Sequence, residues 1–380
     1  EMCIRDRFQS EERQNKFLKW IKDNSWVENY SLFIVIREEF NMLPWWEWPK
    51  EFKEKKMETL KKWISNKNHE ILKQKLIQWH LDEQWKEIRE LAKLKGITLI
   101  GDLPFYVSRD SADVWSNKSL FSVTQNGSLL FQSGVPPDYF SSTGQLWGTP
   151  TYYWSKHKRS NFSWWRERFK RQFKLFDILR LDHFRALAGY WRVDGIDKTA
   201  INGKWINSPG RELLSSLKKD LKTDNLPIIA EDLGVITSDV EILRDNYKLP
   251  GMKILQFAFD VNEKNPYLPK NIVGRNWIVY TGTHDNATSI SWWESLDNNR
   301  KKYLQENYNF SNDPSWDLIK IGMQTDANLF ITPIQDILGL NDSSRLNTPG
   351  TLDNNWKWKL NRPLDEIEIN LKKYRDIGRI

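Results

Sequence analysis

Three stretches of the chain bring ionisable side chains to the end of an apolar run. DILRLDHFRAL, Asp177 to Leu187, carries Arg180, Asp182, His183 and Arg185; IIAEDLG offers Glu231 followed by Asp232; YTGTHDN brings His284 and Asp285. On a strand, side chains two apart share a face, so Arg180 and Asp182 point the same way. A carboxylate beside an arginine is favoured in its ionised form, which is what a nucleophile or a stabiliser of positive charge needs. An ordinary Arg–Asp pair closing a strand has the same spacing. Glu231 has the type and place of a general acid, and Asp232 reads equally as a neighbouring negative charge or as a helix N-cap. His284 and Asp285 read as a metal pair, with no third ligand at a sensible spacing, or as a hydrogen-bonding clamp on substrate hydroxyls. Three carboxylates from separate strand ends suit cleavage of a glycosidic bond, which takes one carboxyl as acid/base and another as nucleophile or base.

Those ends need a scaffold. From residue 97 onward six short apolar runs recur: ITLIGDLP, FDILRLDH, LPIIAEDLG, MKILQFAFD, WIVYTGTHD and NLFITPIQD. Helical patterns such as GRELLSSLKKDLK and ITSDVEILRDNY separate most of them. Continuous apolar strands alternating with helices predict a parallel sheet buried on both faces. Polar residues at every strand end favour one architecture, an α/β (β/α)₈ TIM barrel with long loop insertions, over an open doubly wound sheet, whose Gly-rich first turn is missing. A barrel needs eight strands, so the first ones are expected to be absent from this chain. The opening EMCIRDRFQS has neither an initiator Met nor a signal-peptide pattern, and reads as a fragment junction.

The expected partition is a helical segment over 1–95, the barrel portion over 96–362, and a C-terminal helix over 363–380. Within the first, ENYSLFIVIREEF and WHLDEQWKEIRELAKLKG carry apolar residues three and four apart, the second stopping at a glycine. Within the barrel portion, residues 105–175 form a long Ser-, Gly- and aromatic-rich connection with a hairpin expected at TQNGS, placed as a lid or binding wall.

Composition narrows the class. The net charge of +7, from 57 Lys and Arg against 50 Asp and Glu, is scattered among acids and apolar residues as on solvated helix faces, and no nucleic-acid-binding motif accompanies it. One cysteine, Cys3, excludes an internal disulfide framework. The 21 Trp, 12 Tyr and 18 Phe fill cores, yet their flat faces also suit sugar rings.

The motifs together resemble the 4-α-glucanotransferase family (amylomaltase, or disproportionating enzyme), relatives of the α-amylases. The matching pieces are ENYSLFIVIREEF, GDLPFYVSRDSADVW, GVPPDYFSSTGQLWGTPTYYW, LRLDHFRAL, IIAEDLGVIT, GMKILQFAF, YTGTHDNAT and RLNTPGT, in family order from about Trp26 to Trp358. The resemblance implies that Asp182 is the nucleophile of a covalent glucosyl–enzyme, Glu231 the general acid/base and Asp285 the third carboxylate. It implies further that Arg180, His284 and Asn286 bind substrate, with Asp102 pairing to Arg180. Asp138, Tyr139, Phe140, Gln145 and Trp147 would line the acceptor side.

The implied reaction is retaining transfer of α-1,4-glucan segments, with no cofactor or metal, and carboxyls of Asp182 and Glu231 about 5–5.5 Å apart. The implied partners are maltooligosaccharides and α-1,4-glucans, not nucleic acid or membrane. The implied compartment is the bacterial cytoplasm, with a plastid as the other possibility. An amylase-type hydrolase and an inactive glucan-binding fragment are the competing readings. Two departures stand out: the family's opening strands have no counterpart, and Ala287 replaces a commonly acidic residue.

Overall fold

The computed structural model describes residues 10–137, 141–260, 262–351 and 353–378. Its strands, in chain order, are β1 Ile100–Leu103, β2 Phe131–Val135, β3 Gln145–Pro150, β4 Ile178–Leu181, β5 Gly189–Asp194, β6 Lys204–Asn207, β7 Ile228–Ala230, β8 Gly251–Ile254, β9 Trp277–Tyr280 and β10 Leu329–Ile331. Each of the six apolar runs singled out above is a strand: β1, β4, β7, β8, β9 and β10. Two units make up the chain, one of residues up to Ile228 with Ser238–Leu243, the other of Ile229–Thr237 with everything from Arg244 onward.

In the first unit β1 and β4 pair in parallel, Asp102 opposite Arg180. The N–H of Leu179 donates to Pro227 O just ahead of β7. Leu179 and Leu181 are fully buried, while Arg180 between them faces the other way, the alternation a strand imposes. The helix Asn68–Leu94 ends as its sequence suggests. Gly96 takes a positive φ of 68°, and the N–H of Ile97 returns to Ala92 O at 2.8 Å, closing the last turn. A second sheet of this unit is antiparallel, in the order β3-β2-β5-β6. The long connection thus supplies two of the four strands, β2 and β3, while β5 and β6 lie beyond it and follow no pattern singled out in the sequence. The hairpin expected at TQNGS is present: Val123 bridges Leu129, and Gly127 sits in the turn at φ 86°. Much of the Trp content is core. Trp45, Trp48 and Trp115 are buried with Phe33, and their indole N–H groups donate to Arg109 O, Leu43 O and Phe52 O.

In the second unit the N–H of Ala230 donates to Pro250 O, and β8, β9 and β10 pair in parallel. The core behind them gathers Leu255, Phe259, Trp316, Leu318 and Ile319, all buried. The helix Pro314–Met323 presents several of these residues; it starts with Pro314 in its first turn and with the Asp313 side chain accepting from the Trp316 N–H. The expected C-terminal helix spans Leu364–Asp376. Among the described residues no helix is long and apolar enough to cross a membrane.

Candidate active site

In the first unit the site grows from β1 and β4. Arg180 Nη1 reaches both carboxylate oxygens of Asp102, at 2.8 and 2.7 Å, and its Nη2 lies 3.0 Å from Asp182 Oδ1. The arginine side chain is 11% exposed, whereas Asp102 and Asp182 are 44% and 42% exposed. A buried, fixed cation thus holds two carboxylates that still face open space, one of them free on one side to meet a ligand. The Asp182 N–H donates to Leu103 O at 3.0 Å, which continues the ladder to the last residue before the turn. His183 then adopts the left-handed conformation at φ 51°, and the chain leaves the strand through the short turn Phe184–Leu187. Burial, with Arg185 second, pushes the pKa of His183 down to about 4, so the ring is neutral at physiological pH.

Strand β3 comes to this corner. Trp147 stands edge-on to His183 with ring centroids 4.9 Å apart, and its indole N–H donates to Gln145 Oε1 at 3.3 Å. Tyr106, just past β1, packs 5.9 Å from Trp147 and 6.1 Å from His183. Tyr106 lies in the GDLPFYV stretch, where neither its type nor its spacing marks it as a site residue. Asp138, Tyr139 and Phe140 lie outside the described residues.

In the second unit Glu231 follows β7 directly, and its Oε1 accepts the N–H of Leu233 at 3.1 Å. The N-cap reading of Asp232 does not hold. The helix Ser238–Asn246 begins after Thr237, and Asp232 instead accepts from Arg244 Nη1 at 2.5 Å and from the Met252 N–H at 2.7 Å, pinning the start of β8. Burial raises the Asp232 pKa against those hydrogen bonds. Arg244 and Lys253 both lie over the Trp277 ring, 4.6 and 4.1 Å from its centroid. Tyr267 lies close enough to feel the carboxylates of Asp232 and Glu231; burial first, then those charges, raises its pKa to about 12.

The other carboxylate of this unit is held from two directions. Asp285 Oδ1 accepts from Asn347 Nδ2 at 2.5 Å, and its Oδ2 is 3.4 Å from His284 Nε2. Arg345 Nη2 donates to Asp285 O at 2.7 Å. Asn286 is turned into its own loop, its Oδ1 accepting both the N–H and the hydroxyl of Thr283. Deeper, the nearly inaccessible Asp336 accepts from Thr281 Oγ1, Ser289 N–H and Ser289 Oγ, at 2.6–2.8 Å, and so fixes both ends of the THDNAT loop. Arg345 and Asn347 went unassigned in the sequence, though RLNTPGT had been quoted; about 60 residues separate them from Asp285. Ala287 offers its backbone oxygen to Gln256 Nε2 at 2.9 Å. Among the described residues no group of three or more His, Cys, Asp or Glu side chains is placed to hold a metal ion.

In each unit parallel strands deliver carboxylates at or just past their C-terminal ends: Asp102 and Asp182 with Arg180 in the first, Glu231 and Asp285 in the second. The family model described as 4-alpha-glucanotransferase matches residues 1–365. The 4-alpha-glucanotransferase of Synechocystis is 44% identical over 339 residues, 88% of this chain and 67% of that protein. The chloroplastic/amyloplastic 4-alpha-glucanotransferase of Solanum tuberosum is 42% identical over 361 residues, 93% of this chain and 62% of the relative. Among solved structures, amylomaltase from Streptococcus agalactiae in complex with acarbose matches with a TM-score of 0.92 at 34% identity, covering 97% of this chain and 75% of that one. The chain belongs to the 4-alpha-glucanotransferase family. It spans about two thirds of the length of these two sequence relatives.

Proposed function

We propose that the protein transfers segments of α-1,4-glucan from a donor maltooligosaccharide to the 4-hydroxyl of an acceptor glucose or glucan, by double displacement with retention. Asp182 attacks the anomeric carbon while Glu231 gives its proton to the departing 4-oxygen, leaving a glucosyl ester on Asp182. The acceptor 4-hydroxyl then returns a proton to Glu231 as its oxygen displaces Asp182, so the catalyst ends as it began. Asp285, with His284 and Asn286, grips the sugar whose ring flattens in the transition state. Arg180 and Asp102 hold the nucleophile, and Gln145 and Trp147 of β3 form the acceptor wall.

The observation that carries the reading is the buried Arg180 spanning Asp102 and a half-exposed Asp182 at a strand end. It supplies an oriented nucleophile that is accessible at its reacting oxygen. Transfer rather than hydrolysis is attributed to the lid, since Trp147 shields the residue next to Asp182 from water. The setting follows from the same substrates: the cytoplasm of a bacterium, or a plastid, as in the name of the potato relative.

Incubation with maltotriose and separation of products by length tests this. Glucose appearing together with maltopentaose and longer chains is the expected result, and Asp182→Asn should slow it by at least about 10³-fold. Glucose and maltose alone would mean a hydrolase, and wild-type activity in Asp182→Asn would remove the nucleophile from Asp182.

A further inference from the structure

We propose that Trp356 is a sugar-stacking platform beside Asp285, receiving one pyranose face of the bound α-1,4-glucan. The inference rests on the activity proposed above and adds a binding residue to the same site. Trp356 is 62% exposed, an unusual value for a tryptophan. The ring centroid lies 5.1 Å from that of His284, at an interplanar angle of 43°. An accessible flat apolar face therefore stands next to the His284–Asp285 pair that can bind hydroxyls, the combination a pyranose ring presents in complement: C–H groups on one face, hydroxyls at the rim.

The backbone is shaped to hold the ring there. Trp356 sits at φ 59°, a left-handed conformation that a bulky side chain adopts only at a cost. Its N–H donates to Leu346 O at 2.6 Å. Leu346 lies between Arg345, which binds Asp285 O, and Asn347, which binds Asp285 Oδ1. One three-residue segment thus fixes both the carboxylate and the indole. Asn355 adds a brace, its Oδ1 accepting the Thr348 N–H at 3.0 Å and its Nδ2 donating to Thr351 O at 2.9 Å. The loop that carries Trp356 is thus tied to the segment that binds Asp285, and the residue stays largely exposed beside His284.

Binding to a chain that cannot turn over separates this inference from the activity proposal. Calorimetric titration of Asp182→Asn with maltoheptaose sets the reference affinity. Adding Trp356→Ala is expected to weaken it about fivefold to tenfold, and Trp356→Phe to restore most of the loss, since the phenyl ring keeps a flat face. In the otherwise unchanged enzyme, Trp356→Ala should raise KM for maltotriose by a similar factor while kcat stays within about threefold, the signature of lost binding rather than lost chemistry. Equal affinity with and without the indole would overturn the platform and leave the proposed activity intact. No binding of maltoheptaose even by Asp182→Asn with Trp356 present would overturn the activity proposal, and the platform with it.

Discussion

His157 is buried and His183 half-buried in the first unit, and desolvation pushes the pKa of each down to about 4. The Leu120 carbonyl can only accept, so its 3.2 Å contact makes His157 Nε2 the protonated nitrogen and leaves Nδ1 bare and buried. In the unfolded chain both rings titrate near 6.5. Between the two values the unfolded state binds more protons, so the stability these neutral rings contribute is complete above about pH 6.5. It drains away as the pH falls toward 4. On the order of 2–3 kcal/mol per ring is at stake. The urea midpoint should therefore drop between pH 7 and pH 4.5, and His157→Gln, which keeps a donor for Leu120 O, should flatten that drop by about half. An unchanged slope would show that His157 takes up its proton as readily in the folded protein as in the unfolded chain. At this scale the sequence was legible in position: Arg180, Asp182, Glu231 and Asp285, expected at the ends of apolar runs, lie at or just past the ends of β4, β7 and β9. Asn347 and Trp356 were not legible, because what makes them matter is a neighbour 62 or 72 residues away, and spacing carries no signal at that range.

Among the elements, the six parallel strands were readable because burial on both faces forces continuous apolar runs. The antiparallel sheet was hidden by its composition. In β5, GYWRVD, the alternation of buried Tyr190 and Val193 with Trp191 and Arg192 is broken by glycine and charge, and β6 is only four residues long with none buried. The close fit of β8 to its neighbours has a direct consequence. A Cβ on Gly251 would lie 2.5 Å from Asp232 Oδ2 and 2.6 Å from the Trp277 ring, so the strand start admits no side chain. Gly251→Ala must push the Asp232 carboxylate off the Met252 N–H and Arg244, and is expected to cost about 2–3 kcal/mol. Urea denaturation measures it. A loss below about 0.5 kcal/mol would mean that the Asp232–Arg244 pair shifts freely, with no role in fixing the start of β8.

Taken whole, each unit joins residues far apart in the chain: Asp102 meets Arg180 across 78 residues in the first, Thr281 meets Asp336 across 55 in the second. Contacts of such separation form late, because the intervening chain must first be ordered. On refolding from urea, far-UV helix signal should recover before maltotriose conversion does. Identical rate constants for the two would show that these pairings form together with the helices. The division of the chain carries a further implication. The first unit runs to Ile228, the second begins at Ile229, yet Ser238–Leu243 belongs again to the first. The polypeptide passes between units three times within 17 residues, with Glu231 on the first of those passages. No single break in the gene can separate the two units, and any duplication or exchange of one of them in evolution would have to carry the segment bearing Glu231 across the join.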